Sequence, residues 1–79
     1  MKQKTWIQRG SEWFMVSTVR LSIDHGYDGK PLWYETMVFQ TPGEWQDPTS
    51  YADLDCTRYT TEQEAWAGHQ KTCQEWQPE

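Results

Sequence analysis

The hydrophobic period of this chain changes once along its length, and that change constrains the fold more than any other feature. From Trp13 to Ile23 the residues are rich in Val, Thr, Phe, Ile and Leu, and Val19, Leu21 and Ile23 alternate with Thr18, Arg20 and Ser22, the period of a half-buried strand. Asp24 to Pro31 then gathers glycine, aspartate and proline, which stops a ladder and turns the chain. Leu32 to Gln40 resumes the alternation, with Trp33, Glu35, Met37 and Phe39 on one face and Leu32, Tyr34, Thr36 and Val38 on the other. Residues 13–40 therefore predict an antiparallel hairpin. After Thr60 the period becomes helical. Thr60 with Gln63, or Thr61 with Glu64, offers a capping box, and Ala65, Gly68, His69, Thr72, Cys73 and Trp76 recur on one stripe. Gly68 weakens such a helix by up to about 1 kcal/mol relative to alanine, or lets it approach the sheet closely.

Residues 54–59 read as a third strand. Residues 41–53, with Pro42, Gly43 and Pro48, read as a loop tacked down by Trp45 and Tyr51. Residues 1–12 are an edge strand around Thr5-Trp6-Ile7 or a loose N-terminus, separated from the hairpin by Gly10-Ser11. The expected fold is α+β: a small antiparallel sheet of about three strands with one C-terminal helix, residues 61–76, packed on it, in a single domain over residues 1–79. A chain of 79 residues has room for one core, and a mean hydropathy of -1.00 leaves few aliphatic groups to fill it. Six Trp, four Tyr and two Phe compensate, because two or three buried rings contribute on the order of 10 kcal/mol before chain entropy is set against them.

The net charge of -5 sits in the C-terminal half. Residues 1–41 hold five bases against four acids, whereas residues 42–79 hold only Arg58 and Lys71 against eight acids. A field of that sign repels nucleic-acid phosphates and anionic lipid and attracts basic protein surfaces, so the expected partner is a protein, with no direct nucleic acid and no membrane. No apolar run reaches the roughly 18 residues of a membrane span and the N-terminus has no signal core, so the chain reads as cytoplasmic. Cys56 and Cys73 fit neither a disulfide framework nor a zinc or redox spacing and read as buried, reduced thiols.

Three constellations bear on chemistry. Asp24, His25, Glu35 and His69 supply the donor types of a four-coordinate metal site, but His25 falls in a turn and His69 on the helix stripe, so histidines without a metal are preferred. Cys56 or Cys73 with His69 has the elements of a nucleophilic dyad. Asp55 opposes thiolate formation at Cys56, and Cys73 shares the core stripe with His69, which favours packing. No phosphate loop or nucleophile elbow is present. The expected chain is thus not an enzyme and has no catalytic, cofactor or metal residues. What remains is an acidic surface with aromatic flanks. Glu44, Asp47, Asp53, Asp55, Glu62, Glu64 and Trp66 are the candidate partner-binding residues, with Trp45, Tyr51 and Tyr59 beside them. Plain solubility accounts for the same carboxylates, and Glu62 and Glu64 also suit a first helical turn.

Ser17-Thr18-Val19-Arg20-Leu21, Asp24-His25, Gly29, Pro31, Glu35-Thr36-Met37-Val38-Phe39, Leu54-Asp55-Cys56, Arg58-Tyr59, Glu64-Ala65 and Gly68-His69 together resemble a family of small phage and prophage proteins. The resemblance spans roughly residues 16–76. Its most specific parts are Glu35-Thr36-Met37-Val38-Phe39 and the Asp24-His25 turn, while Thr41 to Ala52 is longer than the family pattern. Size, acidity and phage-like character are also similar to those of anti-CRISPR proteins, and the target this implies is a host CRISPR effector complex of type I, type I-C in particular. The implied mechanism is occlusion of the lysines and arginines that hold target DNA. DNA mimicry and a protein-specific interface through Trp66, Trp45 or Tyr59 both remain open. The other reading is a phage accessory protein that modulates a different host protein.

Overall fold

A computed structural model describes the chain except for His25, Tyr27, Asp28 and Glu79. Among these described residues four strands, β1 (Lys2–Arg9), β2 (Glu12–Arg20), β3 (Tyr34–Thr41) and β4 (Asp55–Tyr59), precede one helix, α1 (Glu62–Trp76). The strands form a single antiparallel sheet in the order β1-β2-β3-β4, and α1 packs across one face. The α+β architecture is the expected one, with one strand more than the expected three.

The additional strand is β1, whose eight residues pair with β2 from Lys2↔Val19 to Arg9↔Glu12. Its pattern is faint because an edge strand buries little, and Ile7 is its only buried side chain. Gly10 and Ser11 form the two-residue connection, where Gly10 takes a φ of 63°, a left-handed conformation that favours glycine. At the other end of β2 the expected strand is too long. The ladder stops at Arg20, and Ile23, expected to continue the half-buried alternation, is 64% exposed. Leu21 donates one further bond to the Trp33 carbonyl at 2.7 Å, after which Asp24 Oδ1 accepts from the Gly26 and Leu32 amides at 2.7 and 2.8 Å and turns the chain.

The pleat divides the sheet into two faces. Under α1 lie Ile7, Phe14, Val16 and Val38, closed by Cys73 and by Trp76, whose ring is 5.1 Å from Phe14. The opposite face carries Trp6, Met15, Met37, Phe39, Glu35 and Cys56. Among the described residues three rings, Phe14, Tyr34 and Phe39, are buried, so aromatic burial comes from Phe and Tyr, while every Trp keeps some surface.

The helix follows its sequence signals closely. Of the two capping registers Thr61 is the N-cap: its hydroxyl accepts from the Glu64 amide at 3.1 Å, and the Glu64 carboxylate accepts from the Thr61 amide at 3.2 Å. Ala65, His69, Thr72 and Cys73 are buried along the predicted stripe. Gly68 does allow close approach, because a Cβ there would lie 2.1 Å from the Tyr59 hydroxyl oxygen.

Candidate partner-binding surface

The residues singled out for chemistry occupy different faces of the sheet. His69 points from α1 into the sheet, where Nε2 bonds the Thr5 hydroxyl at 2.9 Å and Nδ1 bonds the Thr18 hydroxyl at 2.7 Å. Thr18 in turn bonds Thr36 at 2.5 Å. Both ring nitrogens are thereby satisfied within the protein, as a buried polar network requires. Glu35 lies on the other face, where its Oε2 accepts from Arg58 Nε at 2.8 Å and faces the Cys56 thiol at 3.7 Å. Glu35 and His69 therefore cannot share an ion, Asp24 is engaged in its turn, and His25 lies outside the described residues. Among the described residues no group of three or more His, Cys, Asp or Glu has metal-binding geometry.

The cysteine dyads fail on the same geometry. Cys56 is on the face away from His69, and it is exposed rather than buried as expected, because β4 is an edge strand. Partial burial and then the Glu35 carboxylate push its thiol pKa up. Cys73 is buried, as expected, and burial raises its pKa too, opposed by a hydrogen bond with Thr5. Neither sulfur is in a setting that favours thiolate.

Burial also lowers the pKa of His69 below its ordinary 6.5. The unfolded chain then binds the proton more tightly than the folded one. Stability is full above about pH 6.5 and declines as pH falls from there through the depressed folded pKa. Urea midpoints for the intact protein are expected to fall between pH 7.5 and 5.5, and His69→Asn should flatten that slope. An unchanged slope in the variant would assign the effect to another group.

The loop between β3 and β4 shapes the face opposite α1. It reaches across to β1, where Trp45 packs on Trp6 with ring centroids 5.0 Å apart, the Trp6 indole donates to the Gln46 carbonyl at 2.9 Å, and Lys4 Nζ lies 3.7 Å from Asp47 Oδ1. It returns past Phe39, which Tyr51 meets edge-on at 5.4 Å. Both predicted tacking contacts exist, yet Trp45 is 74% and Tyr51 69% exposed. Trp45 also holds a φ of 63°, a left-handed conformation that costs a bulky residue roughly 1–3 kcal/mol. Beside the loop a groove of about 200 Å³ runs between Met15, Val19, Met37, Phe39 and Tyr51, with Lys4 and Glu35 on its lining.

All seven candidate partner-binding residues are exposed, but the fold separates them into two groups. Glu44 and Asp47 belong to the loop tip over β1. Asp53, Asp55, Glu62, Glu64 and Trp66 flank β4 and the start of α1, on the other edge of the sheet. Three strand spacings, about 14 Å, lie between those edges. Within the second group Glu64 is engaged by the cap, and Asp55 accepts from the Trp76 indole at 3.4 Å. Trp66, off the core stripe, is 42% exposed. Sequence reasoning missed the left-handed backbone at Trp45 and the groove, neither of which has a local signal.

No family model, curated protein or solved structure matches the chain. No helix among the described residues is long and apolar enough to cross a membrane.

Proposed function

We propose that this chain is a non-catalytic binding domain that inhibits a host CRISPR effector complex by engaging its basic surface. One observation supports the binding role above the others. Among the described residues five large apolar side chains stand exposed, and four of them fall within the acidic half, Trp45, Tyr51 and Leu54 between the carboxylates of residues 44–64 and Trp66 just after them. Solubility explains the charge but not the apolar surface beside it, whereas an interface uses charge for steering and aromatic groups as anchors. The phage-family resemblance directs the choice of partner toward a type I effector. An accessory protein acting on another host protein uses the same surface, and partner capture separates the two.

The test is capture from nuclease-treated lysates of bacteria carrying different CRISPR types, followed by charge reversal in two sets. One set is Asp53→Lys with Glu62→Lys; the other is Glu44→Lys with Asp47→Lys. Glu64 is left intact because its carboxylate holds the helix cap. The set that meets the partner is expected to weaken binding at least about tenfold, since a close interfacial charge pair contributes about 1.5 kcal/mol or more. Undiminished binding in both sets, with the fold verified by circular dichroism, would overturn the acidic-surface assignment. Recovery of a polymerase or replication factor would replace the CRISPR reading with the accessory one.

A further inference from the structure

A second surface, which borders the acidic one at the loop tip of Trp45 and Asp47, follows from the register of β1. Arg20 donates its amide to the Met1 carbonyl at 3.1 Å, which makes Met1 and Arg20 a hydrogen-bonded pair. Antiparallel pairing alternates bonded and non-bonded pairs, so Gln3, Thr5, Ile7 and Arg9 turn their backbone groups toward β2. Lys2, Lys4, Trp6 and Gln8 consequently turn theirs outward. β1 is the terminal strand of the sheet, and among the described residues no backbone bond outside the β1–β2 ladder reaches those four. The edge thus offers a row of donors and acceptors about four residue pairs long.

The side chains beside that row select what can pair with it. β1 carries Lys2, Lys4 and Arg9 and no acid, in a chain of net charge -5. Lysines on an edge discourage the addition of strands that bring no compensating charge, and like charges placed opposite one another destabilise a ladder. They favour a strand with carboxylates opposite them. Lys2, Lys4 and Trp6 project to the loop side of the sheet, where the exposed Trp45 ring stands over Trp6 and gives an added strand an apolar shelf. On the helix side its neighbours are Gln3, Thr5 and the buried Ile7.

We propose that β1 is a docking edge for an extended, acidic segment of a partner protein, which adds to the sheet as a fifth, antiparallel strand. Main-chain bonds to Lys2, Lys4, Trp6 and Gln8 supply the attachment. Carboxylates at alternate positions meet Lys2 and Lys4 and supply the selectivity. Asp47, 3.7 Å from Lys4, stands in for such a carboxylate in the free protein.

The probe is a capped hexapeptide of alternating glutamate and valine, compared with one of alternating lysine and valine. Each is titrated into the isotope-labelled full chain while amide hydrogen exchange is followed by NMR. With the glutamate peptide near saturation, the Lys2, Lys4, Trp6 and Gln8 amides are expected to exchange about tenfold more slowly or slower still, with Gln3, Thr5 and Ile7 little changed. The lysine peptide should leave all of them unchanged. Lys2→Glu combined with Lys4→Glu should exchange the two preferences while circular dichroism remains that of the parent. Absence of protection, or equal protection by both peptides, would overturn the proposal. Protection of these amides that rises with protein concentration without peptide would also overturn it, because the occupant would then be a second copy of the chain.

Discussion

Gly68→Ala is expected to lower the unfolding free energy by about 1 kcal/mol, against the direction of helix propensity. In an unconstrained helix interior the same change is worth nearly 1 kcal/mol of stabilisation. Here the new methyl would lie 2.1, 2.2 and 2.3 Å from the hydroxyl oxygen, Cζ and Cε1 of Tyr59, so the ring itself has to leave its place between β4 and α1. Overpacking of that kind costs about 1–3 kcal/mol and exceeds the propensity gain. A domain of this size should lose several degrees in Tm, at about 4–8 °C per kcal/mol. The decisive comparison is in a Tyr59→Ala background, where the obstacle is gone and Gly68→Ala should become stabilising. A loss of the same size in both backgrounds would show that the Tyr59 contact is not the cause.

Thr18→Val is expected to cost about 2–3 kcal/mol although the two side chains have nearly the same shape. Thr18 is fully buried, and its hydroxyl is the shared partner of Thr36 and His69, so its removal strands two polar groups under α1. The expense lies in the stranded partners rather than in the lost bonds. Thr18→Val combined with Thr36→Val and His69→Leu removes the buried members of that chain and leaves only the half-buried Thr5 hydroxyl, and should recover most of the stability. Chemical denaturation of the single and triple variants reads this directly. A triple variant as unstable as the sum of its single changes would mean that the network stabilises in its own right.

The helix was legible in the sequence because its signals are local. Thr61 and Glu64 are three residues apart, and the buried Ala65, His69, Thr72 and Cys73 repeat at the helical period. The central hairpin was legible through its alternation, which placed Glu35, Met37 and Phe39 opposite Tyr34, Thr36 and Val38 as the structure has them. β1 was faint, since an edge strand with a single buried apolar residue has little pattern to read. The partition of the carboxylates was not legible at all. Glu44 and Asp53 are close in sequence, yet the loop carries the first to β1 and returns the second to β4. Only strand order reveals that separation. The exposure of Cys56 depends likewise on β4 being an edge, and the polar partners of His69 come from β1 and β2, more than 50 residues away.

The sheet is a meander in which order along the chain is order in space, and this governs how the protein acquires its structure. Each strand pairs with the one made just before it, so the sheet can lengthen one strand at a time with short loop closures and little entropy lost at each step. The helix breaks that pattern, since His69 must return across 64 residues to meet Thr5. Until it does, Ile7, Phe14, Val16 and Val38 remain uncovered and Thr18 and Thr36 lack their imidazole. On the ribosome, then, most of the sheet emerges before its cover, and the interval between synthesis of β4 and docking of α1 is when the nascent chain is most prone to stick to its neighbours.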